Sequence, residues 1–178
     1  MADSAAIAIG PGTLYVAAIA TADPTSATAS LPSTWRAVGY TEEGNTFTYE
    51  ITQEEIEVAE EFDPVRIDTT KRAGTVAFSM AEMTRANLAL ALNLGAAATN
   101  DTTAVEPPAP GAELRVKIVL DTLGGSRWLF RQCIQGGSLE IARKKSPDKA
   151  LMPVEFKLEK PTGLQPFKVF PAASGYLT

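Results

Sequence analysis

The chain has 178 residues, a formal net charge of −5 and 45% hydrophobic residues, a balance typical of one globular domain around a single core. It has no histidine and a single cysteine, Cys133, which excludes histidine-based catalysis and intramolecular disulfides. No apolar run reaches the roughly 18 residues that cross a bilayer, and the N-terminus lacks the positive flank of a secretory signal. We therefore expect a protein kept in a cytoplasm, without a membrane partner, catalytic residues, a cofactor or a metal.

Alternation of apolar and polar residues predicts strands along most of the chain. In the segment 46–51, for example, Phe47, Tyr49 and Ile51 fall on one face and polar residues on the other. About ten strands are expected, at 13–19, 35–40, 46–51, 56–59, 65–69, 75–80, 113–121, 127–134, 138–142 and 154–159. Such a content predicts a mainly β fold.

One segment, about 82–94, departs from this period. Leu88, Ala91 and Leu92 recur at helical spacing, and Gly95 follows as an expected C-cap. The segments 21–33 and 96–110 are rich in Pro, Ser, Thr or Ala and predict loops. Gly124-Gly125 predicts a hairpin turn between two strands.

Acidic residues are concentrated between positions 42 and 63. This stretch holds nine of the chain's 21 acidic residues and no Lys or Arg, so its self-repulsion must be offset by solvent or by a partner. The open interpretations are a solvated hairpin, a cation-binding loop, a contact with a basic patch and an acidic wall that repels nucleic acid. Calcium is disfavoured because the acidic spacing does not follow that of a tight calcium loop. The candidate contact residues are Glu50, Glu54, Glu55, Glu57, Glu60, Glu61 and Asp63.

A basic cluster lies further along the chain and comprises Arg143, Lys144, Lys145 and Lys149. We predict it as a candidate contact patch for the acidic stretch, with a solvated turn as the alternative. Direct binding of nucleic acid is disfavoured, because four charges without interleaved aromatic residues neutralise few phosphates.

The order of these segments resembles that of the major tail proteins of actinobacteriophage-type, long-tailed bacteriophages. The resemblance covers residues 12–95. Its residues are the opening Gly-Thr-Leu-Tyr-Val-Ala from Gly12, Trp35 followed by Val38-Gly39-Tyr40-Thr41, the acidic stretch ending in Pro64-Val65, the strand with Val76, Phe78 and Met80, and Asn87-Leu88 in the predicted helix.

This resemblance implies a tail tube protein fold, an antiparallel β-sandwich or partial barrel with one flanking helix. We assign residues 1–12 to an N-terminal arm, 13–160 to the domain and 161–178 to a C-terminal arm. The family implies six copies in a ring and rings stacked into a virion tail tube, assembled in the host cytoplasm. Its implied partners are further copies, a tape measure protein, a tail terminator and distal tail proteins, and DNA would pass through without specific binding. The acidic candidates would then face the lumen or the next ring.

Other functions stay open. Within structural proteins, the chain could be another virion or secretion-tube component, such as a head-tail joining protein or a type VI secretion tube subunit. A monomeric ligand-binding β-sandwich would need an exposed aromatic strip, which an aromatic content of 7% does not favour. A histidine-free carboxylate enzyme would need a pair of acidic residues that the sequence does not single out.

Overall fold

The computed structural model describes residues 12–57, 59, 62–96, 104–142 and 148–172. These residues form eight strands and one helix, which confirms the prediction of a mainly β fold with one helix. The elements are β1 Thr13–Ala18, β2 Arg36–Ala37, β3 Thr41–Ile56, β4 Arg66–Met80, α1 Arg85–Ala91, β5 Val116–Asp121, β6 Arg127–Gln135, β7 Met152–Leu158 and β8 Phe167–Phe170.

All eight strands belong to one antiparallel sheet, which is not closed into a barrel. Its strand order is β2-β1-β5-β6-β7-β4-β3, and β8 pairs with β6 outside this path. The strand β6 is therefore a branch point. Its first part, Arg127 to Phe130, pairs with β8, whereas its end, Cys133 to Gln135, pairs with β7.

The sheet curls around its larger core, which gives it a sandwich-like form. Phe47 on β3 reaches across this core to Phe130 on β6, although two strands separate β3 from β6 in the sheet; the ring centroids lie 5.1 Å apart. Phe47 also meets Phe167 of β8 edge-on at 5.2 Å. The fully buried side chains of this core include Leu14, Ile118, Met80 and Phe156.

A smaller core lies on the opposite face of β1, β5 and β6, as the alternation of side chains along these strands requires. It contains Trp35, Val119 and Leu129 and is covered by the loop 21–33, which was predicted from composition. Asp23 fixes this loop by accepting hydrogen bonds from Lys117 Nζ at 2.5 Å and from Arg131 Nε at 2.7 Å.

The helix is shorter than predicted. It begins after Thr84, whose Oγ accepts a hydrogen bond from the Asn87 amide at 3.2 Å, and it ends at Ala91. Leu92 is the C-cap, so the prediction that Gly95 would cap the helix is wrong. Asn93 adopts the left-handed conformation with φ 59° directly after this cap, a conformation that its short polar side chain tolerates.

Three strand predictions differ from the structure. Of the described residues in the predicted strand 56–59, only Ile56 lies in a strand, as the last residue of β3. Residues 138–142 form no strand, because the hydrogen bonding continues past Gln135 only as far as the Gly136 amide, which donates to Glu155 O. The strand predicted at 35–40 is reduced to Arg36–Ala37. Conversely, β8 lies within the segment predicted as a C-terminal arm and pairs with β6. The turn at Gly124-Gly125 is confirmed, with Gly125 at φ 85°.

Candidate assembly surface

The hairpin of β3 and β4 extends beyond the rest of the sheet. Its register runs from the pair Thr41 and Met80 to the pair Ile56 and Arg66, whereas β7 pairs with β4 only between Thr75 and Met80. The outer part, residues 50–56 with 66–72, therefore forms a two-stranded projection, which we call the distal ribbon.

The sequence explains why the ribbon leaves the core. Along β4, buried and half-buried residues alternate only from Gly74 onward, and the preceding residues are almost all exposed. On β3 the apolar alternation of Phe47, Tyr49 and Ile51 gives way to a run of Thr, Gln and Glu. Without an apolar face, these residues gain nothing from packing on a core.

The ribbon and its tip nevertheless expose large apolar side chains. The exposed fractions are 53% for Ile51, 45% for Ile56 and 55% for Ile67, and Phe62 at the tip is fully exposed. The register places Ile51 and Ile67 on one face of the ribbon and Ile56 on the other, so both faces carry apolar side chains. An isolated two-stranded hairpin is marginally stable in water. These features indicate that the ribbon has a partner in the assembled state.

Both edges of the ribbon are also free among the described residues. The outer edge of β3 pairs with no strand, and β4 has no partner other than β3 over residues 66–74. Free edges of this length present unpaired amides and carbonyls to another chain. The ribbon can therefore form hydrogen bonds with another polypeptide as well as apolar contacts.

The described acidic candidates lie on this projection and are exposed. They are Glu50, Glu54, Glu55, Glu57 and Asp63; Glu60 and Glu61 lie outside the described residues. Glu54 stands directly across from Asp68 in the register, a destabilising arrangement of like charges. Arg66 relieves it in part, because its Nε donates to Asp68 Oδ1 at 2.5 Å.

Of the predicted basic patch, the structure describes only Lys149, and Arg143, Lys144 and Lys145 lie outside the described residues. Lys149 Nζ donates to Glu42 Oε2 at 2.6 Å. Both side chains are exposed, so this pair adds little to stability. One basic candidate thus contacts one residue of the acidic stretch within the same chain.

Sequence reasoning missed the exposed isoleucines and two cations at the base of the ribbon, Arg72 and Lys160. Ile56 and Ile67 had a signal, since each stands between two charged residues. Ile51 had none, because it continues the apolar alternation of Phe47 and Tyr49. The two cations had none, because 88 positions separate them and only the fold brings them to one groove.

The described residues contain no group of three or more His, Cys, Asp or Glu placed to hold a metal ion. Cys133 is fully buried, and burial raises the pKa of its thiol far above its usual value, so this thiol does not form the reactive thiolate. None of the helical residues described is part of a segment long and apolar enough to cross a bilayer.

Comparison with known families gives one match that covers most of the chain. The family model described as phage tail tube protein matches residues 1–130 of the 178, which include the stretch 12–95 on which the resemblance rests. No curated protein matches the sequence. This family is structural, which favours a tail location in the virion and a role without catalysis. The chain belongs to the phage tail tube protein family.

Proposed function

We propose that six copies of this chain close into a ring and that these rings stack into the tail tube of a long-tailed bacteriophage. The tube conducts DNA to the host cell. Its partners are further copies of the chain, a tape measure protein in the lumen, and tail terminator and distal tail proteins at the two ends. Assembly takes place in the host cytoplasm, and residues 1–12 act as an arm.

The observation that carries this proposal is the distal ribbon. It is exposed on both faces, pairs on neither edge with another described strand, and carries the exposed apolar residues Ile51, Ile56 and Ile67. A contact between the ribbon of one copy and a different surface of the next is heterologous, and such contacts produce rings when they close and filaments when they do not. A tube of stacked rings needs one contact that closes within each ring and another that repeats from ring to ring.

The charge of the projection supports a role near DNA. Acidic candidates such as Glu50 and Glu54 remain solvated in the single chain. In a tube, carboxylates facing the lumen repel the DNA phosphates and keep the genome from adhering to the wall. Carboxylates facing the next ring instead contact cations there, and both positions are compatible with the ribbon.

A test removes the ribbon without disturbing the sheet. Glu50 and Ala73 are register partners, so residues 51–72 can be replaced by Asn-Gly, which favours the tight turn of a two-residue hairpin. The shortened chain should keep the near-ultraviolet circular dichroism of the folded protein. Negative-stain microscopy should show tubes for the full chain and only single subunits for the shortened one.

Finer variants separate packing from shape. Changing Ile51, Ile56 and Ile67 together to Thr keeps strand propensity and removes the apolar contacts, so tube formation should need a higher protein concentration. Changing Leu123 to Ser is the control and should leave assembly unchanged, because Leu123 is even more exposed but lies in the turn between β5 and β6. Tubes formed by the ribbonless chain would refute the proposal, and closed rings that never stack would instead indicate a joining component.

A further inference from the structure

A groove of about 200 Å³ lies at the base of the distal ribbon. On one side it is lined by Tyr49 and Arg72 of the hairpin. On the other side it is lined by residues that follow β7 and precede β8, among them Lys160, Gln165 and Pro166. The groove thus separates the part of the hairpin that leaves the sheet from the connection between the last two strands.

Two strand edges near this groove lack a neighbour among the described residues. The strand β4 is unpaired on one side where it passes Arg72 and Gly74, since β7 pairs only from Thr75 onward. The strand β8, which begins directly after Pro166, pairs with β6 alone. An extended segment entering here could add hydrogen bonds to an existing sheet.

The charge of the groove is positive and not neutralised within the described chain. Arg72 and Lys160 are both exposed, and neither forms an ion pair with another described residue. The opposite charge lies on the outer part of the same hairpin, where Glu54 and Glu55 are exposed and likewise lack a cationic partner among the described residues.

The acidic part of the ribbon does not fit the groove of its own chain, because strand geometry separates the two. Glu54 lies five residues beyond Tyr49 on the same strand, a distance of about 17 Å in extended backbone. The ribbon of a second copy has no such restriction.

We infer that the groove is the receptor for the distal ribbon of a neighbouring copy, which enters with Glu54 or Glu55 against Arg72 and Lys160. The contact joins two different surfaces, the outer part of one hairpin and the base of the next, as repeated head-to-tail assembly requires. This inference rests on the proposed self-assembly and specifies its contact surfaces. Because Glu54 and Glu55 are consecutive and point to opposite faces of the ribbon, one of them faces the groove in either orientation.

The test uses two full-length variants that reverse the charges on one side each. Variant R72E/K160E makes the groove acidic, and variant E54K/E55K makes the ribbon basic. Each alone should raise the protein concentration needed for tube formation by about tenfold or more, because two ion pairs are lost and like charges meet. An equimolar mixture should recover assembly, since each reversed ribbon meets a reversed groove in the other variant. Light scattering over a concentration series measures both effects.

The control K157E/K168E makes the same change of charge on two exposed lysines that do not line the groove, and it should assemble as the unmodified chain does. All variants alter exposed side chains, so equal urea midpoints of the subunits establish that each folds.

The outcomes separate this inference from the proposed function. If R72E/K160E assembles like the unmodified chain, or if the mixture gains nothing over its components, the groove is not the receptor, although self-assembly stands. If R72E/K160E assembles normally, the groove is left to bind another tail component. If the unmodified chain forms no assembly at any concentration, the proposed function and the groove contact both fail.

Discussion

Replacing Asp23 by Ala should weaken the attachment of the loop 21–33 to the sheet. The carboxylate accepts one hydrogen bond from Lys117 and one from Arg131, and the side chains of these cations are only 12% and 11% exposed. A hydrogen bond to a charged group contributes about 1.5–3 kcal/mol. Each cation keeps a backbone acceptor, Thr21 O for Lys117 and Gln165 O for Arg131. We therefore expect a loss of about 2–4 kcal/mol in the free energy of unfolding, below the sum of two full bonds.

Urea unfolding of the dissociated subunit, followed by tryptophan fluorescence, measures this loss, because Trp35 lies in the small core under the loop. The control D68A removes an ion pair whose side chains are 70% and 41% exposed and should cost at most about 0.5 kcal/mol. A D23A variant within about 0.5 kcal/mol of the unmodified chain would show that the loop is held instead by its apolar contacts and by Arg127, which donates to Ser26 O and Ala29 O.

The pH dependence gives a second check on the same carboxylate. Burial raises the pKa of Asp23, but hydrogen bonds from Lys117 and Arg131 and their charges outweigh it, so this pKa lies below its usual value of 3.8. A depressed pKa contributes stability that is complete above the unfolded value and is lost as the pH falls through the folded value. The stability gap between the unmodified chain and D23A should therefore be constant above about pH 5 and narrow below pH 3.8. A gap that stays constant from pH 5 to pH 3 would contradict the assignment.

Two further substitutions test the contacts between the helix and the sheet. Changing Gly39 to Ala should cost about 2 kcal/mol in thermal unfolding. Its φ of 93° is strained for alanine, and a Cβ there would displace the Glu82 carboxyl group, which accepts a hydrogen bond from the Tyr40 amide. The control is Gly111→Ala, at φ 86° with nothing within 4 Å, which should cost only about 1 kcal/mol. Equal losses would exclude a contribution from Glu82. Changing the buried Asn87 to Ala removes hydrogen bonds to two backbone carbonyls and the 2.7 Å acceptor of Arg36. Urea titration should show a loss of about 3 kcal/mol, and a loss below 1 kcal/mol would mean that water replaces these bonds.

Apolar alternation in the sequence predicts the strands that have one buried face, but it does not predict short strands or separate strands from other extended segments. The alternation at 75–80 predicts the part of β4 that packs on the core, with Val76, Phe78 and Met80 buried. The strand β8 has only four residues and lies between Pro166 and Pro171, so it was assigned to an arm. Both prolines lie outside its ladder, where a missing amide costs nothing. The strand predicted at 138–142 is wrong for the opposite reason. Leu139 and Ile141 alternate and pack on the core as strand residues would, but the segment has no hydrogen-bonded neighbouring strand.

Part of the candidate surface was also predictable from the sequence, and part was not. Charge counting along the sequence predicts an acidic segment, and the described acidic candidates are exposed on one projection. It does not predict where β3 and β4 separate from β7, because that point depends on which strand covers β4, and strand order is a property of the tertiary fold. The groove with Arg72 and Lys160 follows from this separation, so it has no local signature.

The branch at β6 makes the continuity of the sheet depend on one strand. Arg127 to Phe130 pairs with β8, and Cys133 to Gln135 pairs with β7. If β6 is displaced, β2, β1 and β5 are separated from β7, β4 and β3, and β8 loses its only strand partner among the described residues. Unfolding that reaches β6 therefore spreads to both ends of the sheet, so the domain is expected to unfold as one cooperative unit.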